Sequence, residues 1–210
     1  MSLGPIEQMP LRVQVAERLR SAIVTGKLRP GTPLVETALA EQLHVSRAPI
    51  REAIQDLEND GLVETMAYRR KRVKPLTVQE VAEICEMRQL FEVMAVRRIL
   101  NQGTVVESLW APCRAMEEAA AADDRDALIA ADEAFHRTLI RLSDKQLLAQ
   151  LWAGLYLRIN QIMSLRNDRE VDLVDIARTH PPIVNALETN DVEQAVHLVF
   201  EHANALADFD

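Results

Sequence analysis

"LAEQLHVSRAPIREAIQDLENDGLVE" spans residues 39–64, and its reading decides the architecture of the first third of the chain. Leu39, Ala40 and Leu43 end one short helical pattern that starts at residue 36. His44, Val45 and Ser46 interrupt it. A second helix is expected over 47–60, with Ser46 at its N-cap, Pro49 tolerated in its first turn and Gly61 as its stop. Arg47 and Arg51 are four residues apart, so they share a face at the start of that helix.

The surroundings complete the unit. Residues 11–25 carry Val15, Leu19, Ala22 and Ile23 at helical spacing, and Gly26 ends the run. "KLRPGTPL" reads as a turn with room for a short extended piece. After Gly61, the strand-type residues Leu62, Val63 and Val73 flank "AYRRKR", which predicts a β-hairpin over 62–76 with a basic tip at Arg69, Arg70, Lys71 and Arg72. Helix, short helix, three-residue turn, helix and hairpin is the order of a winged helix-turn-helix, whose second helix enters the major groove of double-stranded DNA by its N-terminal end. Ser46, Arg47 and Arg51 stand at that end. Arginine suits the role because its planar fork bonds bidentately to guanine or to phosphate.

Charge separates this head from the rest. Residues 1–75 hold 12 Lys/Arg against 9 Asp/Glu, a net of +3; residues 76–210 hold 12 against 23, a net of −11. A basic third joined to an acidic remainder fits one part that meets a polyanion and one that does not. The boundary is expected near Lys74-Pro75-Leu76, giving a DNA-binding domain over 1–75 and an all-helical domain over 76–210. Helices are expected over 77–101, 104–121, 124–142, 144–165, about 169–178, 180–189 and 191–208, separated by Gly103, Asp123-Asp124, Ser143-Asp144 and Asn190-Asp191. Hydrophobic residues make up 48% and aromatics only 4%, so the core must be aliphatic. No run of 18 apolar residues predicts a membrane span, and no signal-peptide order opens the chain. Cys85 and Cys113 stand too far apart for a metal knuckle, and a reducing cytoplasm is the expected location.

The acidic part contains four of the five histidines. In "ALIAADEAFHRTLI" (127–140) the apolar stripe runs through Leu128, Ala131, Phe135 and Leu139, and Asp132 and His136 lie beside it one turn apart. A carboxylate facing a core is costly unless it is paired or binds a cation, and Asp with His at four-residue spacing can ligate one ion. In the last helix His202 falls in the apolar stripe, whereas His197 sits among Glu193, Glu201 and Asn204 and is assigned to solvent. His180 stands at a helix start. Asp132, His136, His180 and His202 thus form a candidate divalent-metal site. Zinc is the first choice, with nickel, manganese or iron also compatible. Core histidines satisfied by ordinary hydrogen bonds, or a plain buried Asp–His bond, produce the same pattern. The cluster also leaves open a metal-dependent hydrolase and a regulator with the ion itself as signal.

Residues 39–64, with "LRPGTPLVETALAEQL" leading into them, resemble the helix-turn-helix of GntR-type transcriptional regulators. That resemblance implies DNA contacts from Ser46, Arg47 and Arg51. The chain departs from the family at Thr37, where an arginine is common, at His44, where the turn usually has glycine, and at Tyr68 and Arg70 in the usually glycine-bearing wing. "EMRQLFE" (86–92), "DEAFHRTL" (132–139), "HPPIVNALETND" (180–191) and "EHANAL" (201–206) resemble the FCD ligand-binding domain of the FadR subgroup. This second resemblance implies metal ligands at Asp132, His136, His180 and His202. It also implies a small carboxylate effector facing Arg88, and a homodimer reading operator DNA. For Arg88 an intrahelical salt bridge to Glu92 is the competing reading.

Overall fold

A computed structural model describes residues 9–167 and 172–205. The chain forms two compact units, Met1–Pro75 and Leu76–Asp210.

The first unit runs α1 (Leu11–Val24), β1 (Pro33–Leu34), α2 (Glu36–Leu43), α3 (Arg47–Asn59), β2 (Val63–Thr65) and β3 (Lys71–Val73). Its core is the seam between α1 and α3. Val15, Ala16, Leu19 and Ile23 meet Ile50, Ala53, Ile54 and Leu57, all buried. Each large aliphatic side chain buried there contributes about 1.5–3 kcal/mol. The extended piece expected near residue 33 is a strand: β1 pairs antiparallel with β3, and β3 with β2, giving the order β1-β3-β2.

The turn between α2 and α3 is made without glycine. His44 takes φ 54° and ψ 42°, in the left-handed region. A β-carbon is disfavoured there, and glycine is the usual residue at such a helix end. His44→Gly is therefore expected to stabilise the first unit by up to about 1 kcal/mol, read as a rise in its urea midpoint. No change would mean that the histidine is held without strain.

The wing corrects the expected placement of the basic tip. Lys71 and Arg72 are not at the tip but inside β3. Lys71 bonds Glu58 of α3 and Thr65 of β2, and Arg72 Nε donates to Glu64 Oε1 at 2.6 Å. Strand register places Arg72 opposite Glu64 and Lys71 opposite Thr65, within reach of Glu58 on α3. The turn itself is Ala67–Arg70, with Tyr68 at φ 60° and Arg69 at φ 57°. Two successive positive φ values match a tight primed hairpin turn.

Burial opposes ionisation only weakly at Glu58. The Lys71 and Thr65 hydrogen bonds outweigh it and lower its pKa. A carboxylate depressed on folding adds stability above its unfolded value of about 4.3 and loses it as pH falls through the lower folded value. Glu58→Gln should accordingly flatten the acid limb of the first unit's stability curve below about pH 4.3. An unchanged acid limb would remove the pair from the account.

The second unit is helical among its described residues: α4 (Val78–Gln102), α5 (Trp110–Ala121), α6 (Arg125–Leu142), α7 (Gln146–Asn167), α8 (Leu173–Arg178), α9 (Pro181–Glu188) and α10 (Val192–Asn204). The segment expected as helix over 104–121 opens with a 3-10 turn, Glu107–Leu109, before α5. Thr77, Asp124, Asp172 and Asp191 each cap a helix start by accepting a backbone N–H. Each such cap contributes on the order of 1 kcal/mol. Gly103 closes α4 at φ 60°. The start expected near 169 and the end near 208 fall on residues outside those described. Helix α6 packs on α4, α5 and α7, and α4 packs on α10. Val192, the first residue of α10 after the Asp191 cap, is 46% exposed. No described helix is long and apolar enough to cross a membrane.

Candidate functional site

In the first unit, Ser46 is the N-cap residue of α3 by backbone geometry, but its side chain makes no capping bond. Its hydroxyl is therefore not committed to the helix start. Arg47 and Arg51 both lie on the exposed side of α3, opposite the buried Ile50, Ile54 and Leu57. Arg47 Nη2 lies 3.3 Å from Glu36 Oε2, with the arginine side chain 67% exposed. Such a surface pair is worth about 0.2–1 kcal/mol and is readily exchanged for a phosphate. Arg69 and Arg70 are exposed in the wing turn, whereas Lys71 and Arg72 are half-buried in their ion pairs.

In the second unit the structure brings Asp132, His136, His180 and His202 together. One ligand-type atom from each lies within 4.8 Å of all the others. Asp132 and His136 are there because they project from α6 one turn apart, beside the buried Phe135 and Leu139. His180 is the N-cap residue of α9, with Pro181 and Pro182 at the first two helical positions. Those prolines lack only N–H groups that a helix start leaves unpaired anyway. The His180 ring is anchored by Nδ1, 3.1 Å from the Ile176 carbonyl oxygen. His202 comes from α10 and is half-buried; His197 of the same helix is exposed, as expected.

The hydrogen bonds around the rings fix where their lone pairs point. His180 Nδ1–H donates to Ile176, so Nε2 carries the lone pair, and that atom stands 3.2 Å from Asp132 Oδ1 without a hydrogen-bond partner. Thr179 Oγ1 donates to the Ile176 carbonyl at 2.8 Å and therefore accepts from His202 Nδ1 at 3.0 Å. His202 Nε2 then faces His136 Nε2 at 3.1 Å. Arg88 Nη2 donates to that same His136 Nε2 at 2.7 Å. His136 Nδ1 lies 2.9 Å from Glu92 Oε1, close enough for an ion pair but not aligned as a hydrogen bond. His180 Nε2 and the Asp132 carboxylate oxygen thus face each other as acceptors, while the Arg88 guanidinium meets the His136 Nε2 lone pair. Facing acceptors repel unless a cation sits among them. Ligand atoms about 2.0–2.2 Å from a common zinc ion would stand roughly 3–3.5 Å apart when adjacent. The separations of 3.1 and 3.2 Å fit that geometry, while 3.7 Å between His136 Nε2 and Asp132 Oδ1 is wider, within a set whose atoms all lie inside 4.8 Å.

Electrostatics agree with a site built for positive charge. Burial opposes ionisation of Asp132, but His136 and His180 outweigh it and hold its pKa well below the usual carboxylate range. Burial pushes the pKa of His180 down and that of His202 further down, favouring neutral imidazoles, whereas at His136 burial is outweighed by Glu92 and Asp132, which raise its pKa and favour the charged ring in the absence of a metal. Burial likewise opposes charge on Glu92, yet Arg88 and His136 keep it ionised. Burial and the Asp132 charge raise the Tyr156 phenol well above its usual value, so it stays a donor to Asp132 Oδ2, at 3.0 Å.

Arg88 is in contact with the cluster, and it also makes the salt bridge that competed with that reading: Nε lies 3.0 Å from Glu92 Oε1. The sequence reading missed Glu92 as a neighbour of His136. The two stand on different helices, and helical spacing carries no information across that gap.

A winged helix-turn-helix joined to a helical unit with a buried ligand-type cluster has the build of a transcriptional regulator. Residues 11–73 match the family described as bacterial regulatory proteins, gntR family, and residues 83–205 match the FCD domain. The chain belongs to the GntR family of transcriptional regulators, with an FCD domain as its helical part. It is 33% identical over 199 residues to a probable D-xylose utilization operon transcriptional repressor of Paenarthrobacter nicotinovorans, spanning 92% of this chain and 88% of the relative. It is 28% identical to the gluconate operon transcriptional repressor of Bacillus subtilis (strain 168), over 90% of this chain and 82% of that one. A solved GntR regulator from Rhodococcus sp. RHA1 superposes with a TM-score of 0.82 at 25% identity, covering 93% of this chain and 95% of its own.

Proposed function

We propose that this chain is a cytoplasmic, homodimeric repressor of the FadR subgroup. Its operator affinity is set by a small organic acid held against a divalent metal in the domain spanning 76–210. The meeting of Asp132, His136, His180 and His202 carries this reading, with the unpartnered His180 Nε2 facing Asp132 Oδ1 at 3.2 Å. Zinc suits a set of three nitrogens and one oxygen best. When bound, the metal supplies a positive anchor for a carboxylate. Arg88, Glu92 and Tyr156 position the ligands around it, and Arg88 offers a guanidinium to the same carboxylate.

The domain spanning 1–75 reads DNA. Ser46, Arg47 and Arg51 meet the major groove, and Arg69 and Arg70 of the wing turn meet the backbone. Lys71 and Arg72 chiefly brace the wing through Glu58 and Glu64. Relatives named as operon repressors support repression as the outcome. Met87, Leu90 and Met94 leave an exposed apolar face along α4, 45–59% accessible, and this face supports pairing with a second copy. Two heads would then read a palindromic operator. An effector shifts the operator equilibrium only if it binds the two dimer arrangements with different affinity.

The test is operator affinity by fluorescence anisotropy for the purified, chelated and zinc-reloaded protein, with and without a panel of small carboxylic acids. An affinity that falls only when metal and acid are both present supports the reading. A response to metal alone makes the ion the signal, and no response to either sinks the proposed coupling.

A further inference from the structure

The first unit holds large side chains on left-handed backbone at His44 (φ 54°), Tyr68 (φ 60°) and Arg69 (φ 57°). A β-carbon is disfavoured there, and glycine, asparagine and aspartate are the residues that usually take such positions. The second unit keeps to that rule. Its left-handed residues, among those described, are Gly103, Asp123, Asp144 and Asn190. The first unit keeps to it as well at Gly26, Gly31 and Gly61. The exceptions among the described residues are thus confined to the head, and each of them carries a hydrogen-bond donor. Arg69 is already assigned to the DNA backbone, which leaves His44 and Tyr68 to explain.

No contact among the described residues accounts for either. Tyr68 is 93% exposed, so its ring buries almost no apolar surface. It takes the first central position of the wing turn, where asparagine is favoured. His44 is exposed too, and among the described residues neither the imidazole nor the phenol takes part in a hydrogen bond or ion pair. Both side chains strain the free protein and gain no partner in it. Their surroundings point to an outside partner. His44 lines, with Ser46 and Arg47, an open recess where α2 meets α3. Tyr68 stands directly before the exposed Arg69 and Arg70. Each therefore flanks side chains assigned to DNA. Side-chain donors at such places bond phosphate and sugar oxygens and fix a protein's register on the duplex.

We infer that His44 and Tyr68 are DNA-contacting residues of this head. The His44 imidazole bonds the DNA backbone beside the start of α3, and the Tyr68 hydroxyl bonds it at the wing turn. This inference rests on the reading of residues 1–75 as the DNA-binding domain and adds two contacts that neither charge nor helical spacing picks out.

The experiment uses the full-length chain and a duplex that the wild type selects from a random-sequence library. Fluorescence anisotropy reads affinity, with urea unfolding in parallel. His44→Gly and Tyr68→Gly each relieve left-handed strain. The urea midpoint of the first unit should hold or rise, while affinity for the duplex falls about 2- to 10-fold, as for one lost hydrogen bond. Tyr68→Phe keeps the ring and the turn. It should show the same loss with an unchanged slope of log affinity against log salt, because no charge is removed. Asp144→Gly, which relieves a left-handed residue of the second unit, is the control and should bind as the wild type does. Unchanged affinity in His44→Gly, Tyr68→Gly or Tyr68→Phe overturns the inference and leaves the DNA-binding domain standing. So does a loss of affinity accompanied by a falling midpoint, which would make the side chain a structural part of its turn. If the wild type selects no duplex, the DNA-binding reading falls and this inference falls with it.

Discussion

His202→Ala is expected to lower zinc affinity by at least about 100-fold while leaving the fold standing. Of the four clustered residues it is the right one to remove, because burial differs among them. His136 is fully buried between Arg88, Glu92 and Phe135. Its loss would strand a buried charge pair, at a cost of about 3–5 kcal/mol, and would confuse ligand loss with unfolding. His202 is half-buried near the end of α10, and its ring is held by one bond to Thr179. Losing that bond costs about 0.5–1.5 kcal/mol. Zinc at 100 times its dissociation constant should stabilise the wild type by about 2.7 kcal/mol, and the variant should show almost none of this. Competition against a chromophoric chelator, with thermal unfolding in parallel, measures both quantities. The exposed His197→Ala serves as the control and should behave as wild type. Equal zinc affinity in His202→Ala and wild type would remove His202 from the ligand set.

How far the sequence reaches depends on whether the information is local. The head is legible because its signals are: a helical stripe in α1, a break at 44–46, an N-cap residue at Ser46 and a stop at Gly61 all act within a few residues. Asp132 and His136 could be picked out by the same logic, since a carboxylate and an imidazole one turn apart beside Phe135 are anomalous on a core face. His180 and His202 are harder, because nothing in helical spacing says that the start of α9 meets the middle of α6. There the resemblance to FCD domains supplied what periodicity could not. The wing shows the opposite failure. "RRKR" reads as one basic run, yet strand register splits it into two exposed arginines in a turn and two side chains paired with Glu58 and Glu64. Glu92 was passed over for a related reason: it looks like an ordinary residue of an amphipathic helix until α4 and α6 are packed together.

That split of the basic run gives the second large effect its form. Arg51→Ala is expected to weaken operator binding by about 1–3 kcal/mol, roughly 5- to 150-fold, and to relax base discrimination in the half-site. Its side chain stands exposed on the N-terminal part of α3, the part of a recognition helix that meets base edges in helix-turn-helix proteins. Arg47→Ala should cost less, because Glu36 already competes for that guanidinium. Arg69→Ala and Arg70→Ala should each weaken binding uniformly across sequences and reduce the slope of log affinity against log salt by about one, the mark of one lost phosphate contact. Lys71→Ala should leave the salt slope almost unchanged and instead lower the stability of the head, because Glu58 loses its main partner. These three wing substitutions, and Arg72→Ala with them, remove the same formal charge, so overall electrostatic attraction predicts the same slope for all four. Anisotropy titrations across a salt series discriminate. Equal slope changes at positions 69 to 72 would mean that the Glu58 and Glu64 pairs open on DNA and that all four side chains reach phosphate. Unequal changes would tie the affinity to the two arginines that the turn leaves exposed.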